Sequence, residues 1–324
     1  MDYAPCHGQL KHSLSIGAPR LPDSLNECTI PRLGSYARYS VVSVRTGEFV
    51  HDGHRLVYDE YGSGSRPFLL LPGLMLPRLM HRPLAQALAE RGNRVITLDL
   101  LGHGESDQPR DMWRYAMPIF GAQALALLDH LEIERAVVGG TSLGANVTLE
   151  AAVLAPERMQ GLVIEMPVLD NALLGCALAF TPMMVALTFG APVTRVFSSV
   201  MRRVPRGLTH LTDVGLEWLS RDPYPSAAVL QGLFFGRTAP PRSERARIET
   251  RALVIGHGRD PVHPFSDSDM LVRELRNGRL IEANSILELR LAPARLTGEI
   301  ARFLDECWRR PADAYKQPPR QATA

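Results

Sequence analysis

A short β-branched run that ends in a glycine-rich turn constrains the fold of this chain more than any other segment. Residues 136–139 have the composition of a strand, and the next five residues, Gly140-Thr141-Ser142-Leu143-Gly144, have the spacing G-x-S-x-G. An apolar helical pattern follows directly. A serine on such a turn lies above the edge of a sheet, because flanking glycines let neighbouring backbone approach closely. Ser142 is therefore a candidate nucleophile.

Strand and helix patterns alternate on both sides of this turn. Strands are predicted at residues 43–50, 55–61, 67–71, 95–100, 136–139, 162–165, 253–255 and 279–282, and helices at 79–90, 117–131, 143–154, 267–275 and 294–308. Asp52-Gly53 predicts a hairpin turn between the first two strands. Such alternation is typical of an α/β fold, so we predict a mostly parallel eight-stranded sheet flanked by helices.

The alternation stops between residues 169 and 247, where the pattern is helical and unusually apolar. We interpret this stretch as a helical lid inserted after strand six, within a core formed by residues 39–168 and 248–310. Residues 172–193 carry no charge and are long enough to span a bilayer. Two prolines and a glycine interrupt them, which favours a buried or lid-forming segment over a stable membrane span. The large apolar side chains of the lid are expected to be core, and secondarily a wall for an apolar substrate: Met183, Met184, Phe189, Phe197, Met201, Leu230, Leu233, Phe234 and Phe235.

Composition excludes several classes of protein. The 36 basic and 34 acidic side chains nearly balance, so no nucleic-acid partner is expected. The four cysteines are widely spread, which argues against a zinc site and fits a reducing, cytoplasmic setting. No secretory signal is evident. Residues 1–38 are interpreted as a flexible extension and residues 311–324 as a disordered tail; the oligomeric state is left open.

Several loops, together with the serine turn, resemble those of the α/β-hydrolase superfamily. Residues 99–106, Asp-Leu-Leu-Gly-His-Gly-Glu-Ser, are similar to the family's D-x-x-G-x-G-x-S loop, and residues 258–264 resemble the loop that carries its catalytic acid. The resemblance covers roughly 270 residues. It implies that Asp260 is the acid and that the backbone N–H groups of Leu74 and Leu143 form an oxyanion hole. Pro72 stands where the family usually has histidine, but the donor there is a backbone N–H.

The sequence departs from the family at the catalytic base. The family's histidine follows the eighth strand, which corresponds here to Ser285 or Ile286, and no histidine occurs after His263. The base must therefore come from elsewhere, and His263 on the Asp260 loop is the favoured candidate. His257 is an alternative base, and Glu165 at the end of strand six is an alternative acid.

These residues predict a serine-dependent hydrolase of a hydrophobic carboxylic ester, thioester or lactone, with no metal or organic cofactor. Ser142 would attack the carbonyl, and the expected partner is a hydrophobic small-molecule substrate. The displaced histidine leaves two alternatives open. The fold could bind a lipophilic molecule without hydrolysing it, or it could catalyse a non-hydrolytic cyclase or lyase step, since one fold hosts many chemistries.

Overall fold

The structure, a computed structural model, describes residues 42–309. Its eight strands form one sheet in the order β1-β2-β4-β3-β5-β6-β7-β8. Their bounds are β1 Val44–His51, β2 His54–Tyr61, β3 Pro67–Leu71, β4 Arg94–Asp99, β5 Ala136–Thr141, β6 Met159–Glu165, β7 Ala252–His257 and β8 Gly278–Ala283. The predicted extension at 1–38 and tail at 311–324 lie outside the described residues.

The prediction of a mostly parallel eight-stranded sheet is confirmed. Strand β2 pairs antiparallel with both β1 and β4, and every other neighbouring pair is parallel. Asp52 and Gly53, which join β1 to β2, have positive φ angles of 49° and 76°. That conformation matches the twist of a two-residue hairpin, as the Asp-Gly pair indicates.

Helices cover both faces of the sheet. The helices of the core are α1 Arg82–Ala89, α2 Met117–His130, α3 Leu143–Leu154, α9 Phe265–Glu274, α10 Glu288–Leu291 and α11 Ala294–Trp308, and those between β6 and β7 are α4 Leu173–Phe189, α5 Ala191–Met201, α6 His210–Leu219, α7 Pro223–Phe235 and α8 Arg242–Arg245. One apolar core lies under α1 and α11, and the other lies under α2, α3 and α9. The helix predicted at 79–90 is divided into a 3-10 turn at Arg78–His81 and α1, because Pro83 favours a new helix start.

Both ends of the helical insertion are tied to the helix that follows the serine turn. The Asn146 side chain on α3 donates to the carbonyls of Val168 and Thr238, each at 2.7 Å, and accepts from Val168 N. The buried carboxylate of Asp267 accepts from the backbone of Leu169 and Ala172. The insertion is therefore anchored at fixed points close to the carboxyl edge of the sheet.

For residues 172–193 the prediction was a buried or lid-forming segment, and the structure leaves most of this stretch at least partly exposed. None of the seventeen residues of α4 is fully buried, and Phe189, Phe197 and Phe235 are exposed rather than core. Helix α4 is apolar on all sides, so only the side that faces the rest of the fold can be covered. Among the described residues no single helix is long and apolar enough to cross a membrane; α4 and α5, bent by 97° at Gly190, meet that test only when taken together.

Candidate active site

Ser142 occupies a strained turn between β5 and α3. Its φ of 55° and ψ of −112° belong to a region that residues with a side chain rarely adopt. A Cβ at Gly140 would lie 2.4 Å from the Gly144 carbonyl carbon, and one at Gly144 would lie 2.1 Å from Leu71 O. Both glycines of the motif are thus required by close backbone contacts, as the spacing predicts.

Three predicted side chains are in hydrogen-bond contact. Ser142 Oγ lies 2.8 Å from His263 Nε2, and His263 Nδ1 lies 2.8 Å from Asp260 Oδ2. The imidazole and the carboxylate are mostly buried, with 16% and 8% of their side chains exposed. An imidazole between a serine hydroxyl and a carboxylate is the arrangement that lets a serine lose its proton during attack.

The acid and the histidine lie on one short loop after β7. Asp260 Oδ1 accepts from the backbone N–H groups of Val262 and His263, so the carboxylate fixes the loop as well as the imidazole. Pro261 and Pro264 restrict the backbone on both sides of the histidine. Burial alone would raise the pKa of Asp260, but the hydrogen bonds from His263 outweigh it and lower the pKa to about 2. The carboxylate therefore stays ionised at neutral pH.

The two residues predicted to supply the oxyanion hole lie beside the same cavity as Ser142. Leu74 and Leu143 both line that cavity, and neither N–H donates a hydrogen bond to any group in the described part of the chain. Leu143 is the first residue of α3, where N–H groups lack partners within the helix. Leu74 is held in a turn closed by a 3.0 Å bond from Leu76 N to Gly73 O.

A buried ion pair holds that turn against the sheet. The side chain of Asp99 accepts from Arg78 N at 2.5 Å and also pairs with the Arg78 guanidinium, which in turn lies 3.1 Å from Asp59. Glu105 N donates to the same Asp99 carboxylate. The Asp99–Ser106 loop, identified from its glycine pattern, thus positions the loop that presents Leu74.

The alternative base and acid form a separate buried cluster. His257 Nε2 lies 3.6 Å from Glu165 Oε1, and His257 Nδ1 is 3.0 Å from Ser285 O. Glu165 Oε2 accepts from Arg290 Nη2 at 2.9 Å and from Thr141 Oγ1 at 2.5 Å. Neither His257 nor the Glu165 carboxylate has a hydrogen bond to Ser142 Oγ within residues 42–309. The structure therefore brings together Ser142, His263 and Asp260, and leaves the two alternates apart.

Arg290 is the residue of this cluster that sequence reasoning missed. It lies in α10, within the segment where a histidine was expected, and its Nη2 donates to both Thr141 and Glu165. Burial raises the pKa of Glu165, but the Arg290 charge outweighs it and holds the pKa well below its ordinary range. Two sequence features could have predicted this pair: Arg290 follows the eighth strand, and Glu165 ends the sixth strand.

The cavity beside Ser142 is apolar. It has a volume of about 200 Å³, and no charged side chain lines it. Helices α4 and α7 supply half of its lining residues, and the polar lining side chains besides Ser142 are Asn146 and Thr238, with the thiol of Cys176. The lining residues are Leu74, Met117, Ser142, Leu143, Asn146, Val168, Leu173, Cys176, Ala177, Phe180, Leu230, Leu233, Phe234 and Thr238.

Comparison with known proteins agrees with this architecture. Residues 66–185 match a family model described as the alpha/beta hydrolase fold. An enol-lactonase from Burkholderia xenovorans LB400 superposes with a TM-score of 0.64 at 22% identity, covering 80% of this chain and 100% of its own. This chain has the α/β-hydrolase fold.

A second solved structure and a curated sequence match show how much of the chain is similar to known proteins. A thermophilic esterase from Thermogutta terrifontis gives a TM-score of 0.65 at 19% identity, over 81% of this chain and 99% of its own. The dihydrolipoyllysine-residue acetyltransferase component of an acetoin cleaving system from Pseudomonas putida is 40% identical over 104 residues, 31% of this chain and 26% of that protein. The first curated relatives are each matched over less than half of their own length.

Proposed function

We propose that this protein is a serine-dependent hydrolase of hydrophobic carboxylic esters, thioesters or lactones. The observation that carries the proposal is the line of two 2.8 Å contacts from Ser142 Oγ through the His263 imidazole to Asp260. The similarity to a lactonase and an esterase supports the reaction class at the level of the fold.

The geometry supports a two-step acyl transfer. Neutral His263 accepts the Ser142 proton at Nε2 while Oγ forms a bond to the substrate carbonyl carbon. Asp260 accepts from Nδ1–H, which fixes the tautomer and stabilises the imidazolium. The Leu74 and Leu143 N–H groups donate to the oxyanion of the tetrahedral intermediate, a contribution of about 3 kcal/mol for one donor.

Collapse of the tetrahedral intermediate forms an acyl-enzyme, which water then hydrolyses. The imidazolium gives its proton to the leaving alkoxide or thiolate as its bond to the carbonyl carbon breaks. An alcohol or thiol then departs, or in a lactone remains attached to the acyl chain, and the acyl group is left on Ser142. Water then attacks the acyl carbon, its proton passes to His263 and then to Ser142 Oγ, and the carboxylic acid is released. No step requires a group other than this chain, the substrate and water.

The apolar cavity supports a hydrophobic acyl part. Leu173 and Phe180 of α4 and Leu230 and Leu233 of α7 all line the space next to Ser142. We also propose that residues 169–247 act as a lid, since these two helices line the cavity and Asn146 binds the backbone of Val168 and Thr238. A charged acyl chain would lose its hydration in this cavity without gaining a partner.

The non-hydrolytic alternatives rested on the lack of a histidine after β8. With an imidazole nitrogen 2.8 Å from Ser142 Oγ, that reason no longer applies. No observation in the described residues specifically favours a cyclase, a lyase or a binding-only role.

Turnover of p-nitrophenyl esters of increasing chain length tests the proposal. We expect hydrolysis to rise from acetate to medium-chain esters and to disappear in Ser142→Ala. Ser285→Ala, which removes an exposed hydroxyl, is the matched control and should retain full activity. Activity that survives in Ser142→Ala, or a wild-type protein inert toward every ester in the series, would contradict the proposal.

A further inference from the structure

Helices α4 and α5 expose several large apolar side chains along two consecutive helices. Their most exposed large side chains are between 66% and 82% accessible: Leu174, Leu178, Phe189, Val193 and Val196. We define the α4–α5 surface by these residues and by Arg195, Arg202 and Arg203, which are also exposed. Ordinary surface helices present polar side chains to water, and a concentration of apolar ones marks an interaction site.

The segment that contains α4 and α5 also carries only positive charge. From residue 171 to residue 212 there are four arginines and no aspartate or glutamate. Arg206 pairs with Glu217 at 2.5 Å. Arg195, Arg202 and Arg203 form no ion pair with any described residue, although Arg202 donates to the Ser220 carbonyl. The surface therefore combines large apolar side chains with uncompensated positive charge.

From this combination we propose that the α4–α5 surface docks onto an anionic lipid bilayer, with the apolar side chains in the interface and the arginines against acidic headgroups. Helix α5, which combines exposed valines with Arg195, has the composition of an interfacial helix, and arginines near an anionic membrane are attracted to its headgroups. The proposal concerns binding and does not depend on the hydrolytic role of Ser142.

Charge complementarity favours a bilayer over the other possible occupants. A symmetric dimer through this surface would bring six arginines without ion-pair partners into one interface with no acidic side chain from residues 171–212 to balance them. The chain's own segments outside the described residues offer no acidic excess either, since residues 1–41 hold three acidic against four Lys and Arg side chains, and residues 310–324 hold one against three.

The position of α4 connects this surface with the cavity. One side of α4 lines the cavity through Leu173, Cys176 and Phe180. Gly175 is so close to the Asp260 loop that a Cβ there would lie 2.8 Å from Pro261 O. A single helix thus separates the proposed bilayer contact from the space beside Ser142, a route suited to a substrate that partitions into lipid.

Vesicle flotation with the full chain tests the docking surface. Two probes are used: phosphatidylcholine vesicles, and vesicles of equal parts phosphatidylcholine and phosphatidylglycerol. We expect flotation with the anionic vesicles, much weaker flotation with phosphatidylcholine alone, loss at high salt, and release by a carbonate wash.

Matched variants locate the contact. Val196→Ser should weaken binding about tenfold, because its side chain leaves the interface, whereas Val50→Ser, an equally exposed valine on β1, should not change it. Arg203→Gln should weaken binding about five-fold. Arg251→Gln, which changes an exposed arginine at the amino end of β7, should bind as the wild type does.

Four outcomes would overturn the proposal. Two are failure of the protein to float with either vesicle, and equal effects of the two variants in each matched pair. The third is retention after the carbonate wash, which indicates a spanning segment. The fourth is self-association without vesicles that Val196→Ser abolishes, which indicates a dimer surface. Circular dichroism of each variant confirms that it is folded.

Discussion

Two acid–histidine pairs lie at the carboxyl edge of the sheet, and they differ in what surrounds them. Asp260 and His263 share a loop with few other polar partners, and the imidazole extends to Ser142 Oγ. Glu165 and His257 are fully buried on neighbouring strands, and Arg290 neutralises the acid. The same residue types are therefore available for proton transfer in one place and committed to ion pairing in the other.

The largest difference between the pairs is expected in catalysis. His263→Ala should lower kcat by about 10⁶, since removing the base of a serine triad costs about that much. His257→Ala should retain wild-type kcat per folded molecule. Steady-state ester hydrolysis, corrected for active-site concentration, measures both, and equal losses would remove the distinction.

Replacing the two acids, Asp260 and Glu165, should change kcat by amounts that differ less than those for the two histidines. Asp260→Asn keeps the shape of the side chain but loses the charge that fixes the tautomer, and we expect kcat to fall about 10⁴-fold. Glu165→Gln should leave kcat within about tenfold, because the carboxylate acts on Arg290 and Thr141 rather than on His263. A deeper loss in Glu165→Gln than in Asp260→Asn would reverse the assignment of the acid.

For the free energy of unfolding we expect the reverse: changes at the Glu165–Arg290 pair should cost more than changes at the Asp260–His263 pair. Arg290→Met leaves the Glu165 carboxylate buried without its cation, which costs about 3–5 kcal/mol of unfolding free energy. The double variant Glu165→Leu/Arg290→Met should recover a large part of that loss, because neither charge remains. Urea unfolding followed by circular dichroism measures both; an unchanged midpoint in Arg290→Met would show that the pair contributes little.

Acid pH should reveal the smaller stabilisation from Asp260. Its folded pKa of about 2 lies below the ordinary value of 3.8, so its contribution is present above pH 4 and is lost as pH falls toward 2. A shift of that size corresponds to about 2 kcal/mol. The difference in unfolding free energy between wild type and Asp260→Asn should therefore shrink over that range, and a difference that stays constant would contradict the lowered pKa.

The sequence was informative wherever local pattern decides structure. The glycine spacing at 140–144, the Asp-Gly hairpin and the bounds of α3 and α11 follow from turn chemistry and periodicity, and the structure agrees with them. His263 and His257 flank Asp260 in the sequence, each three residues away, so the spacing could place either of them near Ser142 but could not choose between them.

The remainder depended on contacts between distant segments. Thr141 and Glu165 are paired across β5 and β6, and Arg290 reaches them from α10, 125 residues away from Glu165 along the chain. The exposure of α4 was also missed, because a helix that is apolar on all sides has no periodicity to show which side faces water.

Labelling of Ser142 by a fluorophosphonate at neutral pH tests the central claim most directly, because it reports the activation of the serine without requiring the natural substrate. Intact-protein and peptide mass spectrometry would follow the rate in wild type, His263→Ala and His257→Ala. We predict rapid labelling at Ser142 in the wild type and in His257→Ala, and none on the same timescale in His263→Ala. An unlabelled wild type, or labelling of His263→Ala at the wild-type rate, would contradict the account.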